Sequence, residues 1–162
     1  MRRQISWLDQ EKPSNHSVIM TYTILGSIIS IAFGVWHFFV PAIWNWYSYI
    51  DNSAPELVIA VRAINIFFSL LLVLLGNANI LLILRKPFDK FSTIVILSIS
   101  SILWLTRVIL QLVSPQGSQN HLIQYSMLGT FLLVFLFFSL SLCFVLKKMP
   151  GNSLTFFKRS IK

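Results

Sequence analysis

The sequence predicts an all-α, polytopic membrane protein with four transmembrane helices in a single bundle, and three observations predict it. Hydrophobic residues make up 56% of the 162-residue chain and charged residues 11%. Mean hydropathy is +0.74, too apolar for an ordinary water-soluble domain. Four apolar runs, at 18–39, 56–84, 93–113 and 122–146, each satisfy the roughly 20 helical residues that a bilayer core about 30 Å thick demands. All eleven Lys and Arg residues outside those runs fall on one side of the membrane that the runs imply. A closed barrel is the other way to satisfy backbone groups in lipid, but its segments are short and alternating. Ile66–Leu75 and Leu132–Leu140 are instead apolar on nearly every face. No polar stretch is long enough to fold alone, so residues 1–162 read as one membrane domain.

Residues 1–17 form an N-terminal segment carrying Arg2, Arg3 and Lys12. Asp9, Glu11 and Pro13 separate the first two arginines from the apolar run, and no small-residue cleavage site follows it, so helix 1 is expected to remain in the mature chain. Within helix 1, Gly26, Ser30 and Gly34 recur at every fourth position and make one stripe that lets a neighbouring helix approach closely. The pattern leaves open whether that neighbour belongs to the same chain or to a second copy. Pro41 is expected to end the helix. The connection 40–55 contains Val40–Ile50, with Trp44, Trp46, Tyr47 and Tyr49, and is too aromatic for a free loop. It reads as a belt at the membrane interface or as a lid over a site that opens outward.

Helix 2 carries Asn77 and Asn79 near its far end. Two residues apart on a helix, they point to different faces, one to bond across the bundle and the other to meet head groups. The turn 85–92 contains Arg85, Lys86 and Lys90. Helix 3 and the short connection 114–121 follow, then helix 4, with a lone Cys143 that reads as a small apolar filler. Gly76 and Gly129 are isolated and could aid packing. The tail 147–162 carries Lys147, Lys148, Lys158, Arg159 and Lys162; with Leu154, Phe156 and Phe157 it is either a short amphipathic segment on the membrane surface or a disordered tail. By the positive-inside rule both termini and the 85–92 turn are cytoplasmic, while 40–55 and 114–121 face outward from a plasma membrane.

The formal charge of +8 is accounted for by basic flanks that fix topology and touch anionic lipid. Membrane lipids are thus expected partners and nucleic acid is not. The sharper feature is a pair of arginines inside the spans. Arg62 and Arg107 each lie about six residues below the outer surface, roughly 9 Å at 1.5 Å per residue. Asn65 follows Arg62 at i+3, and Ser100, Trp104, Arg107 and Gln111 line one face of helix 3. Trp36 and His37 end helix 1 at that level, and His121, Gln124 and Tyr125 open helix 4 there. Because a charge facing lipid is costly, three arrangements are open. The arginines snorkel to lipid phosphates, or they pair with Glu56, Gln111 or backbone carbonyls, or they line an outward pocket for an anionic small molecule or lipid head group, with Asn65 and Gln111 adding hydrogen bonds.

Metal and cofactor chemistry is not indicated. One cysteine and three histidines form no closely spaced ligand set. A haem between His37 and His121, with the arginines near its propionates, is geometrically imaginable. There is no phosphate-binding loop, nucleophile elbow or pair of intramembrane carboxylates, and no mid-helix acid to relay protons. Ser27, Ser98 and Ser139 read as packing or backbone-bonding groups. The function expected first is therefore non-enzymatic: ligand binding or passage, or service as a subunit of a homo-oligomer or larger membrane complex. The alternative is a quinone-linked redox or lipid-modifying membrane enzyme.

Overall fold

The computed structural model describes residues 13–51, 53–85, 89–115 and 121–147. They form α1 (Pro13–Ile43), α2 (Pro55–Leu84), α3 (Lys90–Val113) and α4 (His121–Lys147), with a single 3-10 turn at Trp46–Tyr49 between α1 and α2. All four helices are long and apolar enough to cross a membrane, as in a multi-pass membrane protein. Residues Arg2, Arg3, Lys12, Lys86, Lys148, Lys158, Arg159 and Lys162, and the segment Met149–Lys162, lie outside the described residues.

Polarity is distributed as lipid solvation requires. Ile59, Ile64, Phe67, Leu81, Ile102 and Leu112 face outward, whereas Asn65, Ser69, Asn79, Ser100 and Gln111 are buried. Apolar side chains cost nothing against acyl tails, while polar ones gain only where another helix offers a partner. Most buried hydroxyls bond the preceding turn, as Ser27 does to Thr23 O (2.6 Å) and Ser69 to Asn65 O (2.8 Å).

Helix α1 touches every other helix, and its small-residue stripe shows how. A Cβ added at Gly34 would lie 2.9 Å from both Leu72 Cβ and Ser69 O of α2. From the other side, a Cβ at Gly76 would lie 2.6 Å from Ile31 Cγ1 and 3.0 Å from Ser27 O of α1. The α1–α2 seam is thus too close for a side chain on either helix at these points. Gly26 instead meets α4, where Phe137 Cβ and Phe138 Cζ would each be 3.3 Å away. Ser30 Oγ donates to Gly26 O (2.9 Å) and accepts from the Trp104 indole of α3 (3.0 Å). One stripe therefore serves three neighbours within the chain. Around Gly129 there is open space.

Two expectations are corrected. Pro41 does not end the first helix: α1 continues to Ile43 with Pro41 inside it. Proline lacks the N–H that would bond the carbonyl four residues back, here that of His37. That carbonyl accepts from the Asn65 side chain instead (3.1 Å), and Trp44 N–H closes the next turn on Val40 O (3.1 Å). Cys143 is not an interior filler but is exposed on α4. The helices also overrun the apolar runs. α1 starts at Pro13, a residue pre-set for the first helical position. α3 starts at Lys90 because Asp89 caps it, its carboxylate accepting from Phe91 N–H (3.2 Å) and from the Ser92 hydroxyl.

Candidate functional site

The α1–α2 connection is held as a folded cover. Asn45 adopts a left-handed conformation (φ 50°), which asparagine tolerates better than most residues, and this reverses the chain after α1. Its carbonyl then accepts from both Ser48 N–H (3.1 Å) and Ser48 Oγ (2.8 Å), fixing the turn that carries Trp46 and Tyr49. Asp51 Oδ1 accepts from Ser53 N–H (2.9 Å), and this bond holds the Asp51 carboxyl below its usual range.

Beneath this cover lies a cavity of about 970 Å³. Its walls are Phe33, Trp36, His37 and Val40 of α1, Trp44, Trp46 and Tyr49 of the connection, Val61, Ile64, Asn65 and Phe68 of α2, Arg107 of α3, and Ile123 and Met127 of α4. Every helix contributes. Trp36, Trp46, Tyr49 and Ile64 are exposed, so the cavity has an open side. Such a site, mostly apolar with a few convergent polar groups, is the ordinary form of a small-molecule pocket.

Arg107 is the cation of this cavity. Its guanidinium lies between two rings, 5.0 Å from the centroid of Phe68 and 4.8 Å from that of Phe131, within the range of cation–π attraction. Phe131 is itself fixed edge-on to Phe33 (5.2 Å) and against Trp104 (5.7 Å). Helix spacing buries Ser100, Trp104, Arg107 and Gln111 together on one face of α3.

His37 is set by a two-point clamp. Asn65 Nδ2 donates to His37 O (3.1 Å), and Asn65 Oδ1 lies 2.7 Å from His37 Nδ1. A carbonyl oxygen can only accept, so the Asn65 atom facing it is the amide nitrogen, and the atom facing the ring is the amide oxygen. Nδ1 must therefore carry a proton and donate. In the neutral imidazole this leaves Nε2 as a lone-pair acceptor at the cavity wall, with no hydrogen bond from the described residues. His37 and Arg107 both contact Phe68, the imidazole standing edge-on to that ring at 4.8 Å.

Of the residues singled out by sequence, His37, Asn65 and Arg107 meet at this cavity. Arg62 does not line it; it is exposed, with its guanidinium 5.0 Å from the Tyr47 ring centroid. Asn65, three residues on, is buried, so the two point apart. Trp104 is fully buried behind the cavity. Gln111 is buried and Gln124 half-buried, neither on the cavity wall. His121 is exposed and stacks with Tyr125 (6.4 Å), away from His37. Among the described residues no three His, Cys, Asp or Glu side chains group as metal ligands. Sequence reasoning missed Phe33 and Phe68, although each has a helical-spacing signal: Phe33 precedes His37 by four residues and Phe68 follows Asn65 by three. Phe131 had no local signal. Comparisons with protein-family models, curated proteins and solved structures gave no match.

Proposed function

We propose that this chain is a plasma-membrane protein with both termini cytoplasmic and its four helices in one bundle, and that it binds an anionic or lipid-like ligand in an outward-facing pocket. Its role is non-enzymatic: binding or passage of that ligand, alone or as a subunit of a larger membrane assembly. The observation that carries the reading is a single guanidinium, Arg107, set with the polar His37 and Asn65 in the wall of a mostly aromatic and aliphatic cavity. Aromatic walls suit an apolar body, and a cation held in low dielectric suits an anionic head. The one-sided distribution of basic flanks supports the orientation.

Native mass spectrometry of the gently extracted protein tests this. A discrete adduct is expected on the wild type and on Arg62→Leu, and not on Arg107→Gln. An adduct pattern unchanged by Arg107→Gln would sink the proposal. The alternative, a quinone-linked redox or lipid-modifying enzyme, is favoured by the free lone pair on His37 Nε2. It would show as a quinone mass or a visible chromophore in the same preparation.

A further inference from the structure

We propose that the outward side of α2 is a dimer interface, which joins two copies of this chain through a pair of Asn77 side chains. The inference is independent of the cavity and goes beyond ligand binding, because it names a surface and the partner that covers it.

Two stripes divide α2. The buried one runs from Asn65 to Ile83 and meets α1 and α3, as where Gly76 closes on Ser27 O and Asn79 bonds Ser100 Oγ. Of the four helices α2 is nonetheless the least covered by the rest of the chain. Ile59, Ile66, Leu70, Asn77, Leu81 and Leu84 are all exposed, at steps of 7, 4, 7, 4 and 3 residues. At about 100° per residue that spacing holds them within roughly 60° of one another, about a third of a turn round from the buried stripe. Five of the six are apolar and need nothing more than acyl chains. Asn77 needs a partner.

Its depth and its hydrogen bonds say so. Asn77 lies eight residues before Arg85, roughly 12 Å along the helix. Long Lys and Arg stems carry a polar tip toward the head groups, but a carboxamide on one methylene does not reach them. Within the chain Asn77 Nδ2 donates to Val73 O (2.8 Å), and Asn77 has no other hydrogen bond from the described residues. One amide proton and the acceptor Oδ1 are therefore unspent. Thr106, likewise exposed, is different: its one hydroxyl proton already goes to Ile102 O (2.9 Å).

A second copy supplies the complement. Copies that share a topology in the membrane carry Asn77 at the same depth, so a two-fold axis along the membrane normal sets Asn77 against Asn77. Each Nδ2 then donates to the other Oδ1, and two reciprocal bonds satisfy both amides where lipid offers none. The 7-and-4 spacing is that of a left-handed helix pair, in which a single asparagine in an apolar seam fixes register and the number of partners.

The test is the monomer–dimer equilibrium of the full chain in liposomes, followed by energy transfer between labelled copies as the lipid-to-protein ratio is raised. The wild type is expected to dimerise reversibly. Asn77→Leu is expected to dimerise at least about tenfold more weakly, two interhelical hydrogen bonds being lost, and Asn77→Gln, which keeps the carboxamide, to lie between. Oxidative cross-linking places the interface with Asn77 intact. In a Cys143→Ala background, Leu70→Cys is expected to link two copies, whereas Leu71→Cys, also exposed but turned by about 100°, is not. A wild type that stays monomeric at every ratio overturns the second copy as occupant and leaves this face to lipid or to the helix of another protein. A dimer unweakened by Asn77→Leu, or linked as readily through Leu71→Cys as through Leu70→Cys, overturns Asn77 and its stripe as the interface.

Discussion

Two buried asparagines stand on the same face of α2, Asn65 near the cavity and Asn79 toward the other end, and they do different things. Asn79 Nδ2 donates to Leu75 O and to Ser100 Oγ of α3, both at 2.8 Å. Its Oδ1 is buried with no hydrogen bond from the described residues. Its neighbour Asn77 is exposed and bonds only Val73 O (2.8 Å), so one of that pair crosses between helices and the other faces out. Asn65 uses both ends of its amide on a single residue of α1, and one of those bonds goes to the carbonyl that Pro41 leaves without its helical N–H partner. The same residue type is thus a simple helix-to-helix tie in the packed half and an orienting device in the cavity half. What separates them is the partner. A serine hydroxyl rotates to suit, whereas an imidazole has two unlike nitrogens and must be told which one carries the proton.

The comparison is broken most severely at the seam that supports both asparagines. Gly34→Val would drive a branched side chain into Leu72 Cβ and Ser69 O, each 2.9 Å from its Cβ. It is expected to cost about 3 kcal/mol and to remove the folded protein from detergent extracts, measured by size-exclusion recovery. Gly129→Ala, with open space around it, is expected to be neutral or to stabilise by up to about 1 kcal/mol through helix propensity. Should the two changes behave alike, the seam would not be the frame of the molecule.

Substituting the asparagines themselves sharpens the contrast. Asn65→Leu leaves both the His37 carbonyl and Nδ1–H without their partners, at a cost of about 2 kcal/mol. Asn79→Leu removes one interhelical bond of the kind worth about 0.6 kcal/mol in membrane proteins, and it also relieves a buried oxygen that had no bond. Thermal unfolding in one detergent should therefore rank Asn65→Leu below Asn79→Leu. The reverse order would mean that the clamp on His37 contributes little.

A double-mutant cycle tests why the clamp exists. Pro41→Ala returns an N–H that can bond His37 O within α1, so the carbonyl no longer depends on Asn65. The cost of Asn65→Leu is expected to fall by about 1 kcal/mol in the Pro41→Ala background. Additive costs would show that Pro41 and Asn65 act independently.

Much of this was legible in the sequence, and the limits have physical reasons. Apolar run lengths announced four helices because lipid tolerates few alternatives. The depth of Arg107 and the positions of His37 and Asn65 put these three side chains at one level in the sequence, and all three line the cavity. Direction around the helix was harder to read. Arg62 and Asn65 differ by three residues, yet one faces out over Tyr47 and the other inward, and only the packing of α1 against α2 decides which. Pro41 was read as a helix breaker by the general rule, because the donor that replaces its missing N–H comes from Asn65, 24 positions further along the chain. Phe131, the second ring on Arg107, belongs to a different helix altogether, and no local pattern could reveal it.

The smallest expected effect lies at the far end of the packed half. Asp89 caps α3, and the Ser92 hydroxyl, followed by lesser contributions from backbone N–H groups and Arg85, holds its carboxyl below the ordinary value of 3.8. A depressed folded-state pKa means that the ionised form stabilises the helix. That contribution is complete above the unfolded pKa and disappears as pH falls through the folded one. The stability difference between wild type and Asp89→Ala should accordingly be constant from neutrality down to about pH 5 and shrink below pH 4. Asp89→Asn keeps a capping oxygen without the charge, so it should fall between the two and show no such pH dependence. Fluorescence of the cavity tryptophans, Trp36, Trp44 and Trp46, is expected to be the same in Asp89→Ala as in wild type throughout the titration, because that cap ties down α3 at the end remote from the cavity. A change in their emission on removing Asp89 would mean that the two halves are coupled, and that the asparagine which ties and the asparagine which orients belong to one mechanical unit.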